Sequence, residues 1–387
     1  MKHRMAVLVV AGLALGGMSL ASVFAGPGDG IKVNDWTLQP YVSPFVMYDS
    51  NVLLDENNAQ DDVSYGVRYG ATVDRALDWY AFSGSLWGMS EWFDDTTALN
   101  HDDFGDTLNL SLNTAGGTRV SLGQEFIDQQ SVDYAVGNVQ RVLINRASVG
   151  AGRSLGEKAD VDVAYAFQSH DYADPFLYDW NQNRVKGSAG YAMTDKSAGF
   201  LSASVGVQKS DGNDHSGTSY NSILGVRTRS TDKIVASAGL GVLGLESPED
   251  DIATLSYEAS VAWKALEKMT VTAGADKLIQ PAVISRNNYL IADVMSAGIT
   301  YAILDSLQMK LLGEYEHHEL SMPYAAADGS EIKKKEDIVA GTVRAEYQCP
   351  AKFLKVFAEY RAADQNSSET GLDYSDQKVS AGLQLQY

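Results

Sequence analysis

Apolar and polar residues alternate with a period of two along most of this chain. In Val379-Ser380-Ala381-Gly382-Leu383-Gln384-Leu385-Gln386-Tyr387 the apolar side chains fall on odd positions and small or polar ones on even positions. Successive side chains of a β-strand leave opposite faces, so such a run predicts a strand with one apolar and one polar face. The same rhythm occurs at Leu201, Ala203, Val205 and Val207, at Val161, Val163, Tyr165 and Phe167, at Leu108, Leu110 and Leu112, and at Leu307, Met309, Leu311 and Tyr315. Beyond residue 25 no run approaches the ~18 consecutive apolar residues of a membrane helix, and no long window carries the stripe of an amphipathic helix.

Eighteen strands are predicted, at 36–50, 63–74, 79–92, 104–114, 118–129, 140–153, 159–169, 183–193, 198–209, 219–229, 233–244, 254–264, 269–279, 288–302, 307–317, 337–348, 353–362 and 376–387. Their connections sort into two kinds. Tight turns fall near Ala76-Leu77-Asp78, Ala115-Gly116-Gly117, Leu155-Gly156-Glu157, Asp195-Lys196, Thr231-Asp232, Leu266-Glu267-Lys268, Asp305-Ser306 and Pro350-Ala351-Lys352. The connections between them are longer and often acidic, as in Val52 to Asp62, Phe93 to Asp103 and His318 to Glu336. A soluble sandwich has no reason to alternate short and long connections, whereas an outer-membrane barrel does. The expected fold is all-β, a transmembrane antiparallel up-and-down β-barrel of about 18 strands over residues 36–387. Sixteen strands is the alternative, because 130–140 and 280–302 alternate poorly. Closure has a physical cause: in hydrocarbon each unpaired backbone group costs several kcal/mol, so amphipathic strands must join first to last.

Composition narrows the function. The chain of 387 residues carries 30 Lys+Arg against 50 Asp+Glu, a net charge of −20, and one cysteine. An acidic chain is a poor nucleic-acid binder, and a lone cysteine excludes a disulfide framework or a CxxC site. Lys2, His3 and Arg4 precede an uncharged run from Met5 to Ala25 that ends in Val23-Phe24-Ala25. That is the layout of a secretory signal peptide, so residues 1–25 are expected to be a leader cleaved after Ala25, followed by a short periplasmic segment at 26–35.

Charges of both signs fall on the polar face of the predicted strands: Arg68, Glu125, Arg146, Arg184, Lys186, Arg227, Arg229, Lys310, Glu314, Arg344, Glu346, Glu359 and Arg361. Facing hydrocarbon they would be prohibitive, so they are expected to face a wet lumen. Catalytic or metal chemistry finds little support. His101, His170, His215, His317 and His318 fall in or beside outer loops, and His317-His318-Glu319 lacks the spacing of HExxH. No enzyme activity, metal or cofactor is expected. Acidic clusters such as Glu249-Asp250-Asp251 and the basic run Lys333-Lys334-Lys335 read first as solvated loop tips, and as lipopolysaccharide or sugar contacts second.

The segment Val42-Ser43-Pro44-Phe45-Val46-Met47-Tyr48-Asp49-Ser50-Asn51-Val52, followed by Asp61-Asp62 and an alternating run through Val73, resembles the start of the β-barrel porin type 2 family of Gram-negative outer membranes. The terminal Leu383, Leu385 and Tyr387 are similar to the signal read by the barrel-assembly machinery. The resemblance implies an outer-membrane barrel often associated with exopolysaccharide production and export, with no catalytic residues. Its expected partners are outer-membrane lipid and lipopolysaccharide, the assembly machinery and polysaccharide export components. The leading expectation is therefore a porin-like pore or conduit in the cell outer membrane. The alternatives are a plugged structural or surface-interaction barrel with acidic binding loops, and a rim-located hydrolase using His170 with Asp171 and Asp174.

Overall fold

A computed structural model describes residues 30–133, 138–174, 177–210, 216–248, 251–282, 289–325, 331–369 and 372–387. The leader with Ala25, His215 and Glu249-Asp250 lie outside these residues.

Eighteen long strands form the wall. The first six are β1 (Trp36–Asp49), β2 (Asp62–Ala76), β3 (Tyr80–Phe93), β4 (His101–Asn113), β5 (Thr118–Asp133) and β6 (Asn138–Leu155). Then come β7 (Ala159–Tyr172), β8 (Trp180–Ala192), β9 (Ser197–Ser210), β10 (Gly217–Thr231), β11 (Ile234–Glu246) and β12 (Asp251–Leu266). The last are β13 (Met269–Pro281), β14 (Tyr289–Leu304), β15 (Leu307–Leu320), β16 (Lys335–Gln348), β17 (Leu354–Ser367) and β18 (Tyr374–Gln386). Each pairs antiparallel with its sequence neighbours, and β1 pairs with β18 from Tyr41↔Gln386 to Asp49↔Lys378, so the sheet closes. No α-helix occurs among the described residues.

Alternation assigns the faces. Val42, Val46, Tyr65, Leu122, Val149, Val185, Leu201, Leu224, Leu240, Leu255, Val339, Val379 and Leu383 are exposed and share one face through the strand register. That face is the membrane side. Polar pairs also stand on it: Asp106 lies beside Gln124 and accepts its side-chain hydrogen bond, the cheapest way to hold two polar groups on this face. Glycines admit large neighbours on the inner face. A Cβ at Gly382 would lie 2.5 Å from the Pro44 carbonyl oxygen and 2.6 Å from the Phe357 ring.

The strands run further at their outer ends than hydrophobic alternation predicts. β5 and β6 pair out to Asp133↔Asn138, and β17 reaches Ser367 rather than 362. Above the membrane both faces meet water, so the pattern fades while backbone pairing continues. The connection between β15 and β16 also holds a two-residue hairpin, Tyr324–Ala325 with Glu331–Ile332, too short to leave any periodic signal.

One pair of neighbours is different. The β12–β13 ladder stops at Glu258↔Asp276, so the outer parts of both strands run on without pairing to each other. The β13–β14 hairpin leaves the wall there and turns inward. Ile279 and Tyr289, on what would be its membrane face, pack in one buried cluster with Leu243 and Leu245 of the inner face of β11.

Candidate functional site

The functional surface of a barrel is its inner wall. The register puts Arg68, Glu125, Arg146, Arg184, Lys186, Arg227, Lys310, Glu314, Arg344, Glu346, Glu359 and Arg361 opposite in phase to the membrane-facing residues. Arg229 sits at the register shift between Thr228 and Thr231, where alternation no longer fixes its side.

Glu125, Arg146, Lys310, Arg344, Glu346 and Glu359 hold one another. Glu125 and Arg146 are direct cross-strand partners with an N–O distance of 2.5 Å. Arg344 bridges Glu346 at 2.7 Å and Glu359 at 3.0 Å, while Lys310 reaches Glu346 at 3.1 Å. Such ladders keep both partners solvated by the bore and neutralise the wall locally. Three inward guanidinium groups also stack on inward rings: Arg68 on Phe45 at 5.3 Å, Arg227 on Phe200 at 5.1 Å and Arg344 on Phe357 at 4.5 Å. Between β4 and β8 the wall forms a pocket of about 420 Å³, lined by Thr107, Asn109, Glu125, Arg146, Gln168 and Arg184. Its planar amides, guanidinium groups and carboxylate suit hydroxyl-rich solutes, which need donors and acceptors together.

The segment that carried the resemblance has a structural role. Asp49 accepts from the Asn51 backbone N–H at 2.9 Å and pairs with Lys378 of β18 at 2.7 Å. The Asn51 side chain, 1% exposed, donates to the carbonyls of Asp55 and Ser375 at 3.1 and 3.2 Å and accepts from the Asp55 N–H at 3.0 Å. Asp62 accepts from the backbone N–H groups of Asp95 and Thr96, holding the β3–β4 connection. The Tyr48-Asp49-Ser50-Asn51-Val52 element is thus a clamp at the outer end of the seam where first and last strands meet. Asn51→Ala removes three hydrogen bonds from a buried site, a cost of about 1–3 kcal/mol. The expected readout is unfolding of the heat-modifiable gel species at a lower temperature, with insertion retained.

His170, His317 and His318 are held apart from one another. His170 lies on the inner face, stacked on Trp180 at 4.2 Å, whereas Asp171 points to the opposite face, so they cannot form a dyad. His317 pairs with Asp337 at 2.9 Å and His318 with Glu316 at 2.9 Å, again on opposite faces. No three-residue metal-ligand group occurs among the described residues. The lysine run turns inward on itself: Lys333 and Lys335 share Glu319, and Lys334 is buried against Glu336 at 2.8 Å. At the opposite rim, the turn residues Lys268 and Asp305 meet at 2.6 Å. That hydrogen bond lifts the lysine and holds the carboxyl below its ordinary range, though both are fully exposed and salt-screened.

Sequence reasoning missed the inner cluster of Ser64, Glu91, His101 and Asp103. Ser64 donates to Glu91 at 2.5 Å, and His101 lies 3.6 Å from Glu91 and 3.5 Å from Asp103. These residues come from three strands, and spacing in sequence does not reveal them.

Solved structures with a similar course include OpdO of Pseudomonas aeruginosa, at 13% identity and TM-score 0.48, covering 92% of this chain and 98% of that one. OccAB3 of Acinetobacter baumannii is 10% identical with TM-score 0.46, covering 92% and 100%. A loop-deletion mutant of OmpT, an outer membrane protein of Vibrio cholerae, is 13% identical with TM-score 0.40, covering 92% and 100%. A comparison with curated proteins finds no match. Residues 26–387 match the family described as "Putative beta-barrel porin 2", and the chain belongs to that family of porin-like outer-membrane β-barrels.

Proposed function

We propose that this barrel is a water-filled conduit through the outer membrane and that its solutes are carbohydrates, in particular the chains of an exported polysaccharide. The observation that carries the conduit is the closed ring of eighteen strands with charges of both signs on its inner face. An 18-strand ring is ~35 Å across between backbones, too wide for side chains to fill. The sugar assignment is supported by the polar pocket between β4 and β8 and by the family resemblance. Delivery by a leader cleaved after Ala25 and folding through Leu383, Leu385 and Tyr387 belong to the same proposal.

Purified protein in planar bilayers should give stepwise ion conductance, and neutral oligosaccharides added to one side should block it transiently. Heat-modifiable, membrane-inserted protein without current would overturn the conduit. Current indifferent to oligosaccharides would overturn the sugar assignment alone. The inward turn of the β13–β14 hairpin favours a second reading, a barrel plugged for a structural role, and the same recording separates the two.

A further inference from the structure

We infer that residues 277–282 and 289–292, at the outer ends of β13 and β14, form the constriction of the bore and that Asp276, facing Arg184 and Lys186, is its charge-selecting residue. This rests on the conduit reading and deepens it.

The geometry starts from the broken ladder. Beyond Glu258↔Asp276, β12 continues to Asp251 and β13 to Pro281 with no pairing between them. In a circular ring ~35 Å across, strands four apart would be ~22 Å from each other. Yet Cα atoms of β13 lie within 8 Å of β9, four strands away. The hairpin therefore crosses the inner faces of β10 to β12 instead of standing in the wall.

Its seat is apolar and specific. Leu243 and Leu245 are 4% and 0% exposed, Ile279 and Tyr289 are 3% and 7%, and Ile252 and Ile291 flank them. Gly217 of β10 has no room for a Cβ, because the Tyr289 ring and Leu245 occupy that space. Inward side chains under the hairpin are sealed off: Ser256 and Gln208 are 0% and 1% exposed, although they stand on faces that would otherwise look into the bore. At the point where the strands part, Asp293 accepts from Tyr257 Oη at 2.7 Å and pairs with Lys277 at 3.1 Å. Ile279 and Ile291 turn apolar side chains to the seat, and Leu290 on the opposite face packs with Ala282 and Leu320.

The face turned away from the seat carries Asp276, Leu278 and Gln280, by strict alternation with Lys277, Ile279 and Pro281. Asp276 interacts electrostatically with Arg184 and Lys186 of β8 and with Glu258 of β12. Permeating ions thus pass between a carboxylate pair on one side and two cations on the other, the arrangement by which close charges set selectivity.

Two variants in a Cys349→Ser background test this in planar bilayers, with heat-modifiable migration confirming that each is folded. Gln280→Cys treated with an anionic methanethiosulfonate should lose more than about half its conductance, while Ser380→Cys on the far wall, treated alike, should change little. Asp276→Lys should move the reversal potential in a potassium chloride gradient toward anions, a change of about threefold or more in permeability ratio. A conducting wild type with both readouts unchanged would overturn the constriction and leave the conduit standing. Absence of wild-type current would overturn the conduit itself.

Discussion

Replacing Leu240 by arginine should lower the unfolding free energy in lipid by about 2–4 kcal/mol, the cost of a cation on the membrane face of a barrel near mid-depth. Leu240 is 62% exposed and pairs across β10 with Leu224, itself 69% exposed, so nothing in the protein can shield the charge. Its height settles the magnitude. Leu240 is the seventh of the thirteen residues of β11, at the midpoint of its strand. The matched control is Ser380→Arg on the inner face of β18, opposite Glu359, where a guanidinium meets water and a carboxylate. That change should stay within about 0.5 kcal/mol. Urea titration of protein folded into phospholipid vesicles, followed by tryptophan fluorescence, reads both. Equal costs at the two positions would contradict the face assignment.

Gly382→Val should be about as damaging, at about 3 kcal/mol, for a different reason. Gly382 pairs with Phe45 on one side and Phe357 on the other, inside the closing seam. The seam is already interrupted there. Positions 43 and 44 have no ladder partners in β18, proline has no N–H to give, and Ser43 Oγ donates to the Leu383 carbonyl at 2.8 Å instead. A branched side chain would press on the Pro44 carbonyl, which cannot retreat without opening β1 from β18, and on a Phe357 ring that is 8% exposed. Loss of the compact, unheated gel band, with Gly382→Ala falling between valine and wild type, is the expected series. A valine variant as heat-resistant as wild type would show that closure does not depend on this packing.

Much of the wall was legible in the sequence, and the reason is hydrocarbon. Where lipid contacts one face, every second residue must be apolar, so Val379 to Leu385 or Leu201 to Val207 reveal both the strand and its phase. Legibility failed where lipid stops imposing that rule. Gln130, Ser131 and Asp133 lie beyond the membrane and pair through their backbones with no apolar face to keep. The stretch 280–302 alternates poorly at its start because the hairpin it helps build leaves the wall, and Leu290 and Ile291 are held by protein on either side. The clamp was legible as a motif but not as a mechanism: Asn51 finds Ser375 across 324 residues, a contact that only ring closure creates. The inward turn was legible only as the lost alternation at the start of 280–302, since nothing in Asp276-Lys277-Leu278 says that β12 will release the hairpin.

The account depends on eighteen strands closing into a ring with a lipid face and a water face. Site-directed spin labels placed singly at 379, 380, 381, 383, 384 and 385 in vesicle-embedded Cys349→Ser protein, sparing Gly382 and Lys378 of the closing seam, test it most directly. Oxygen accessibility should peak at 379, 381, 383 and 385 and that of a water-soluble nickel chelate at 380 and 384, the two profiles running out of phase. Profiles that rise and fall together, or a chain that stays folded and dissolved without detergent, would contradict it.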